Sequence, residues 1–150
     1  MQNNNVVLVL DLDGTIISIN SFKVWYLTLF VYSFFFLRWR NLAILVRLSA
    51  KRAMKEFSRA DIKSYMLTIS MQGKLFPLLT SKTVAFFCSF FIRKELIERV
   101  KELIQCNKSE FDIRSVVIAS AAPLLYLERI ATGLPYNVDL VIGSGFITKG

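Results

Sequence analysis

Residues 6–10, read as Val6, Val7, Leu8, Val9 and Leu10, form a short apolar run with no polar alternation. This pattern predicts a strand covered on both faces within a parallel sheet. A second run, residues 116–119, stops at Ser120, and a third, residues 138–142, stops at Gly143, Ser144 and Gly145. Between the first two runs the pattern turns helical. Ser58 and Asp61 stand at capping-box spacing, with Gly73 as the stop of the helix they open. Ser81 is placed to cap a helix running into Phe86 and Phe87. Residues 95–105 carry Leu96, Val100, Leu103 and Ile104 at helical spacing, which predicts a helix packed on the sheet through those four. Buried strands separated by helices predict an α/β fold with a Rossmann-like parallel sheet.

The 150-residue length suits one domain with an insertion. A hydrophobic content of 54%, with 20% charged residues, excludes a disordered chain. Charge divides the chain: residues 21–105 hold 15 Lys/Arg against 5 Asp/Glu, or +10, whereas the remainder holds 4 against 6, or −2. The expected organisation is therefore an α/β core over residues 1–20 and 106–150, interrupted by a basic, apolar, helical cap over residues 21–105. Such a cap favours anionic partners, either a small phosphorylated substrate or an anionic membrane surface. No motif points to nucleic acid. With only Cys88 and Cys106 and no His, neither a disulfide framework nor a zinc site is expected. A cytoplasmic setting follows, peripheral at the inner membrane face if the cap meets lipid. The first residues lack the basic start of a secretory signal.

The chemistry concentrates in Asp11, Leu12, Asp13, Gly14 and Thr15, directly after the first strand. In open α/β sheets ligands bind beyond the carboxyl ends of strands. Two carboxylates at i and i+2 can there divide the work. Asp11 can attack phosphorus and become an aspartyl phosphate, while Asp13 protonates the leaving oxygen and later activates water. Gly14 permits a sharp turn that the Thr15 hydroxyl braces. A plain Asx-type turn is the bland alternative.

The pentapeptide resembles the DxDGT signature of the haloacid dehalogenase (HAD) superfamily, and residues 116–123 resemble that superfamily's second motif, a strand ending in Ser or Thr. The resemblance implies a magnesium-dependent phosphatase with Asp11 as nucleophile and metal ligand. It makes Asp13 the general acid/base, whose main-chain carbonyl also binds Mg2+. Leu12, Gly14 and Thr15 then join Ser120 and Ala121 in holding the phosphoryl group, with Ala121 at the start of a helix opened by Pro123. The wording around Ser120 and residues 141–144 is similar to the phosphoserine-phosphatase-like branch, which carries a helical cap between these motifs. The family's later Lys and Asp motifs have no convincing counterpart. Lys149 lies at the end of the sequence and Asp139 within the third run, so a truncated C-terminus is expected.

The middle segment admits two fates. Residues 24–37 hold 12 hydrophobic residues in 14, short of the roughly 20 that a membrane span needs. Residues 41–57 predict a helix with Arg47, Lys51 and Lys55 near one face, continuing from Arg40. An ordinary cap, with its apolar helices packed together, is the favoured expectation. The alternative is a catalytically dead module that binds an anionic membrane or a partner through this basic cap.

Overall fold

The computed structural model describes residues 5–73, 75–105 and 112–145. Three parallel strands, β1 (Asn5–Leu10), β2 (Asp112–Pro123) and β3 (Leu140–Ser144), form one sheet with β2 in the middle. Six helices are found among the described residues: α1 (Ser21–Phe35), α2 (Trp39–Ala53), α3 (Arg59–Ser70), α4 (Leu75–Ser89), α5 (Lys94–Gln105) and α6 (Leu124–Thr132). The fold is α/β, a partial Rossmann-like sheet with helical connections, as the strand pattern predicts.

The chain divides into two compact units, Met1–Ser21 with Ala85–Gly150, and Phe22–Val84. The first holds the sheet. Leu10 pairs with Ile118, and Ile118 with Val141, so the three strands run side by side in one direction. Leu10, Val116, Ile118, Leu127 and Ile130 are buried, with α6 packed on β2 and β3. The expectation that β1 is covered on both faces is not met. Val7 and Val9 are 54% and 59% exposed, as are Leu140 and Ile142 of β3 to a similar degree. A continuous apolar run shows that a strand can be covered twice. It does not supply the second cover.

Local signals account for many element ends. The Ser58 hydroxyl accepts from the Asp61 amide at 3.2 Å and the Asp61 carboxylate accepts from the Ser58 amide at 2.9 Å, a reciprocal capping box. Pro123 is the N-cap of α6. Gly73 has a left-handed φ of +79° just beyond α3. Ser81, expected as a cap, instead lies inside α4 and donates to the Leu78 carbonyl, because that helix already starts at Leu75. Helix α5 is present but buries Ile97 and Val100 while Leu103 is exposed, so its inward face is rotated from the expected one. β2 continues four residues past Ala119, and β3 starts two residues later than the apolar run.

The second unit is built around Trp25, Leu29, Leu45 and Met66, all fully buried. The Trp25 indole donates to the Ser70 hydroxyl at 3.1 Å and the Asn41 amide to the Gln72 side chain at 2.8 Å. Tyr32 and Thr83 share a hydroxyl–hydroxyl hydrogen bond. The unit ends at Val84, whereas the basic segment of the sequence runs on to residue 105. The last part of α4 and all of α5 belong with the sheet.

The sheet's one-sided cover predicts unequal mutational costs on neighbouring strands. Ile118→Ala, fully buried at the centre, is expected to lower stability by about 2–5 kcal/mol in urea unfolding. Val9→Thr on the open face should stay within about 0.5 kcal/mol. Equal losses at both sites would show that the outer face is covered in solution.

Candidate active site

Asp11 is the first residue after β1, and Leu10 before it pairs with Ile118, two residues short of Ser120. Parallel pairing therefore brings Asp11 and Ser120 to the same carboxyl edge of the sheet. Asp11 is exposed, whereas Leu12 turns inward and is fully buried. This alternation anchors the loop and leaves the carboxylate outside.

The loop closes on itself through the backbone. Ile16 N–H donates to the Asp11 carbonyl at 3.3 Å, Ile17 N–H to the Leu12 carbonyl at 3.0 Å, and Gly14 N–H to the Ile17 carbonyl at 2.8 Å. Gly14 has φ +80°, a left-handed conformation that the turn requires and that favours glycine. Its amide is thus already engaged within the loop. Nothing lies within 4 Å of where its Cβ would be. Thr15 is half-buried. Beyond the loop, Ser18 N–H donates to the Phe91 carbonyl and Arg93 N–H to the Ile16 carbonyl, which ties the segment to the end of α4.

Asp13 is held by a contact that the sequence does not announce. Its carboxylate accepts from the Ser21 amide at 2.8 Å, at the first residue of α1. That amide is one of the four at a helix start that lack an intrahelical acceptor. The Ser21 hydroxyl in turn meets the Tyr126 hydroxyl at 3.0 Å, with both residues fully buried. Burial, with the Asp13 and Cys88 charges adding to it, raises Tyr126 above its ordinary range against the opposing pull of its Ser21 hydrogen bond. Burial first, and Asp13 second, push the Cys88 thiol up to about 12. Only tertiary structure brings Ser21, Cys88 and Tyr126 beside Asp13.

Ser120 is half-buried in β2, and its hydroxyl accepts from the Ala122 amide at 3.3 Å. Ala121, expected at the start of a helix, lies in the strand, two residues before the Pro123 N-cap. Its carbonyl accepts from the Ser144 hydroxyl at 3.0 Å. Close packing here requires Gly143, since a Cβ would come within 2.8 Å of the Ala122 carbonyl oxygen. Asp139 is committed to structure. Its carboxylate accepts from the Val116 amide at 2.7 Å and its own amide donates to the Val116 carbonyl. Lys149 lies outside the described residues. No group of three Asp, Glu, Cys or His able to hold a metal occurs among the described residues.

A carboxylate-bearing loop directly after β1, with Ser120 close in register on the adjoining strand, lies at the carboxyl side of an α/β sheet. The chain belongs to the haloacid dehalogenase-like hydrolase family, whose family model matches residues 8–150. Comparison with curated proteins and with solved structures returns no match.

The buried thiol makes stability depend on alkaline pH. A folded-state pKa raised from 9.0 to about 12 gives a contribution that is present in full below pH 9 and is lost as pH rises towards 12. Melting temperature should therefore fall across that interval, and Cys88→Ala should flatten part of the fall. An unchanged pH profile in Cys88→Ala would show that the thiol is not held neutral by the fold.

Proposed function

We propose that this hydrolase-family chain is a magnesium-dependent phosphomonoester phosphatase of the cytoplasm, with the Phe22–Val84 unit as its cap and Asp11 as the residue that accepts the phosphoryl group. The observation that carries this reading is the pairing of Leu10 with Ile118, which sets an exposed Asp11 and the Ser120 hydroxyl at one sheet edge. In the first step an Asp11 carboxylate oxygen bonds to phosphorus as the bond to the leaving oxygen breaks, and Asp13 supplies that oxygen's proton. In the second, Asp13 takes a proton from water as the water oxygen bonds to phosphorus. The bond from phosphorus to the Asp11 oxygen breaks, freeing inorganic phosphate. The hydrogen bond from the Ser21 amide fixes one oxygen of the Asp13 carboxylate and leaves the other for this proton traffic. The Ser120 hydroxyl is the donor nearest in register for a phosphoryl oxygen.

The donor set fits a sparsely held magnesium ion. The Asp11 carboxylate and the Asp13 main-chain carbonyl would hold the ion, with water and substrate phosphate as its remaining oxygen ligands. When bound, the ion would neutralise charge on the phosphoryl group. The absence of a third acidic ligand among the described residues favours a second reading, a non-catalytic binding module.

Turnover of an aryl phosphate with and without magnesium separates the two. The 150-residue chain is expected to be slow, and Asp11→Asn should abolish what activity there is. Asp13→Asn should lower the rate by about 10²–10⁴-fold on an alkyl phosphate and by less on p-nitrophenyl phosphate, whose leaving group scarcely needs a proton. Turnover that survives Asp11→Asn would contradict the assignment. Complete inactivity of the parent chain would favour the binding module.

A further inference from the structure

The Phe22–Val84 unit turns an apolar stripe outward. Along α1, Leu27, Val31, Phe34 and Phe35 stand at i, i+4, i+7 and i+8, the spacing of a single helix face, and all four are exposed. Trp25, Thr28, Leu29 and Ser33 take the buried face. Exposed Phe36 and Leu37 carry the stripe through the turn, and exposed Trp39 and Val46 carry it along α2. The Phe34 ring meets the Trp39 ring edge-on at 6.2 Å, which joins the stripes of the two helices into one surface.

At its tip, Leu37 is disfavoured twice. Arg38 N–H donates to the Ser33 carbonyl at 2.8 Å and Leu37 N–H to the Phe34 carbonyl at 3.1 Å, the paired bonds of a Schellman helix end. The left-handed residue of that motif is normally glycine, yet here a leucine takes φ +50°. It is also 69% exposed. Neither burial nor backbone preference accounts for a bulky apolar side chain at this place, so an external contact is the remaining reason for it.

Charge selects the contact. The unit holds 11 Lys/Arg against 2 Asp/Glu, and exposed Arg40 and Arg47 lie on α2 beside the stripe. A second copy would bring like charges face to face. Interleaved Phe, Trp, Leu and Arg match what settles at the water–hydrocarbon boundary of an anionic bilayer. At about 1.5 Å per residue, the 15 residues of α1 reach roughly 22 Å, short of the roughly 30 Å hydrocarbon core. No helix among the described residues is long and apolar enough to cross a membrane.

We propose that the α1–α2 corner, with Phe35, Leu37 and Trp39 at its tip, docks into the interfacial layer of an anionic lipid bilayer. The surface differs from the one expected of residues 41–57, since the apolar corner inserts and the arginines beside it supply the attraction. Docking of this kind is independent of whether Asp11 turns over phosphate.

The test uses the full 150-residue chain with vesicles of phosphatidylcholine, with or without phosphatidylserine. The chain should sediment with the anionic vesicles and dissociate as salt rises. Tryptophan emission should shift to the blue on binding, and Trp39→Phe should remove the shift, because Trp25 is already buried. Phe35→Ser combined with Leu37→Gly should weaken partitioning by about 10²-fold. Leu37→Gly alone should weaken it less while leaving the melting temperature unchanged or higher, which separates docking from folding. Equal binding to neutral vesicles in high salt, full binding by the double variant, or self-association through this corner with no vesicle binding would each overturn the proposal.

Discussion

Parallel pairing of β1 with β2 is the constraint on which the site depends. It joins residues more than 100 positions apart, Leu10 to Ile118, and in doing so brings Asp11, just past the end of β1, close in register to Ser120 on β2. A parallel pair needs a crossover, and this one is long, carrying five helices among the described residues. The closure cost of so long an excursion grows only slowly with length, so the intervening unit can be elaborated without dissolving the pairing. A one-residue slip of β1 against β2 would turn Asp11 inward and Leu12 outward, removing the site while keeping most of the sheet.

From that pairing a second set of contacts fixes the loop. Asp13 takes the first amide of α1, and Ser21 at the same helix start is held by Tyr126 of the helix that follows the second motif. The acid/base candidate is thus positioned by both helices that flank the strand ends. Gly143 permits the close approach of β3 to Ala122, and the Asp139 carboxylate accepts from the Val116 amide. The same contacts that give the half-sheet its order commit these side chains to structure.

Features governed by short-range rules were legible in the sequence. The strand before Asp11, the capping box of Ser58 and Asp61, the start of α6 after Pro123 and the turn at Gly14 each follow from a few neighbouring residues. Features that depend on who packs against whom were not. The period of α5 was visible, yet Ile97 rather than Leu103 faces inward. The apolar run of β1 gave no sign that Val7 and Val9 would lack a cover. The helix ends at Leu37 and Lys55 were invisible for another reason: both adopt left-handed conformations without a glycine to mark them. The Ser21–Tyr126 contact spans 105 residues and has no local signature.

The central claim is that Asp11 carries the phosphoryl group, and chemical trapping addresses it without relying on turnover rate. The chain is mixed with a small aryl phosphate and magnesium, quenched in acid, and reduced with borohydride, which converts an aspartyl phosphate to homoserine. Peptide mass mapping then reads the position. The account predicts homoserine at position 11 and none at position 13. Modification at Asp13, at Ser120 or at no residue would contradict it.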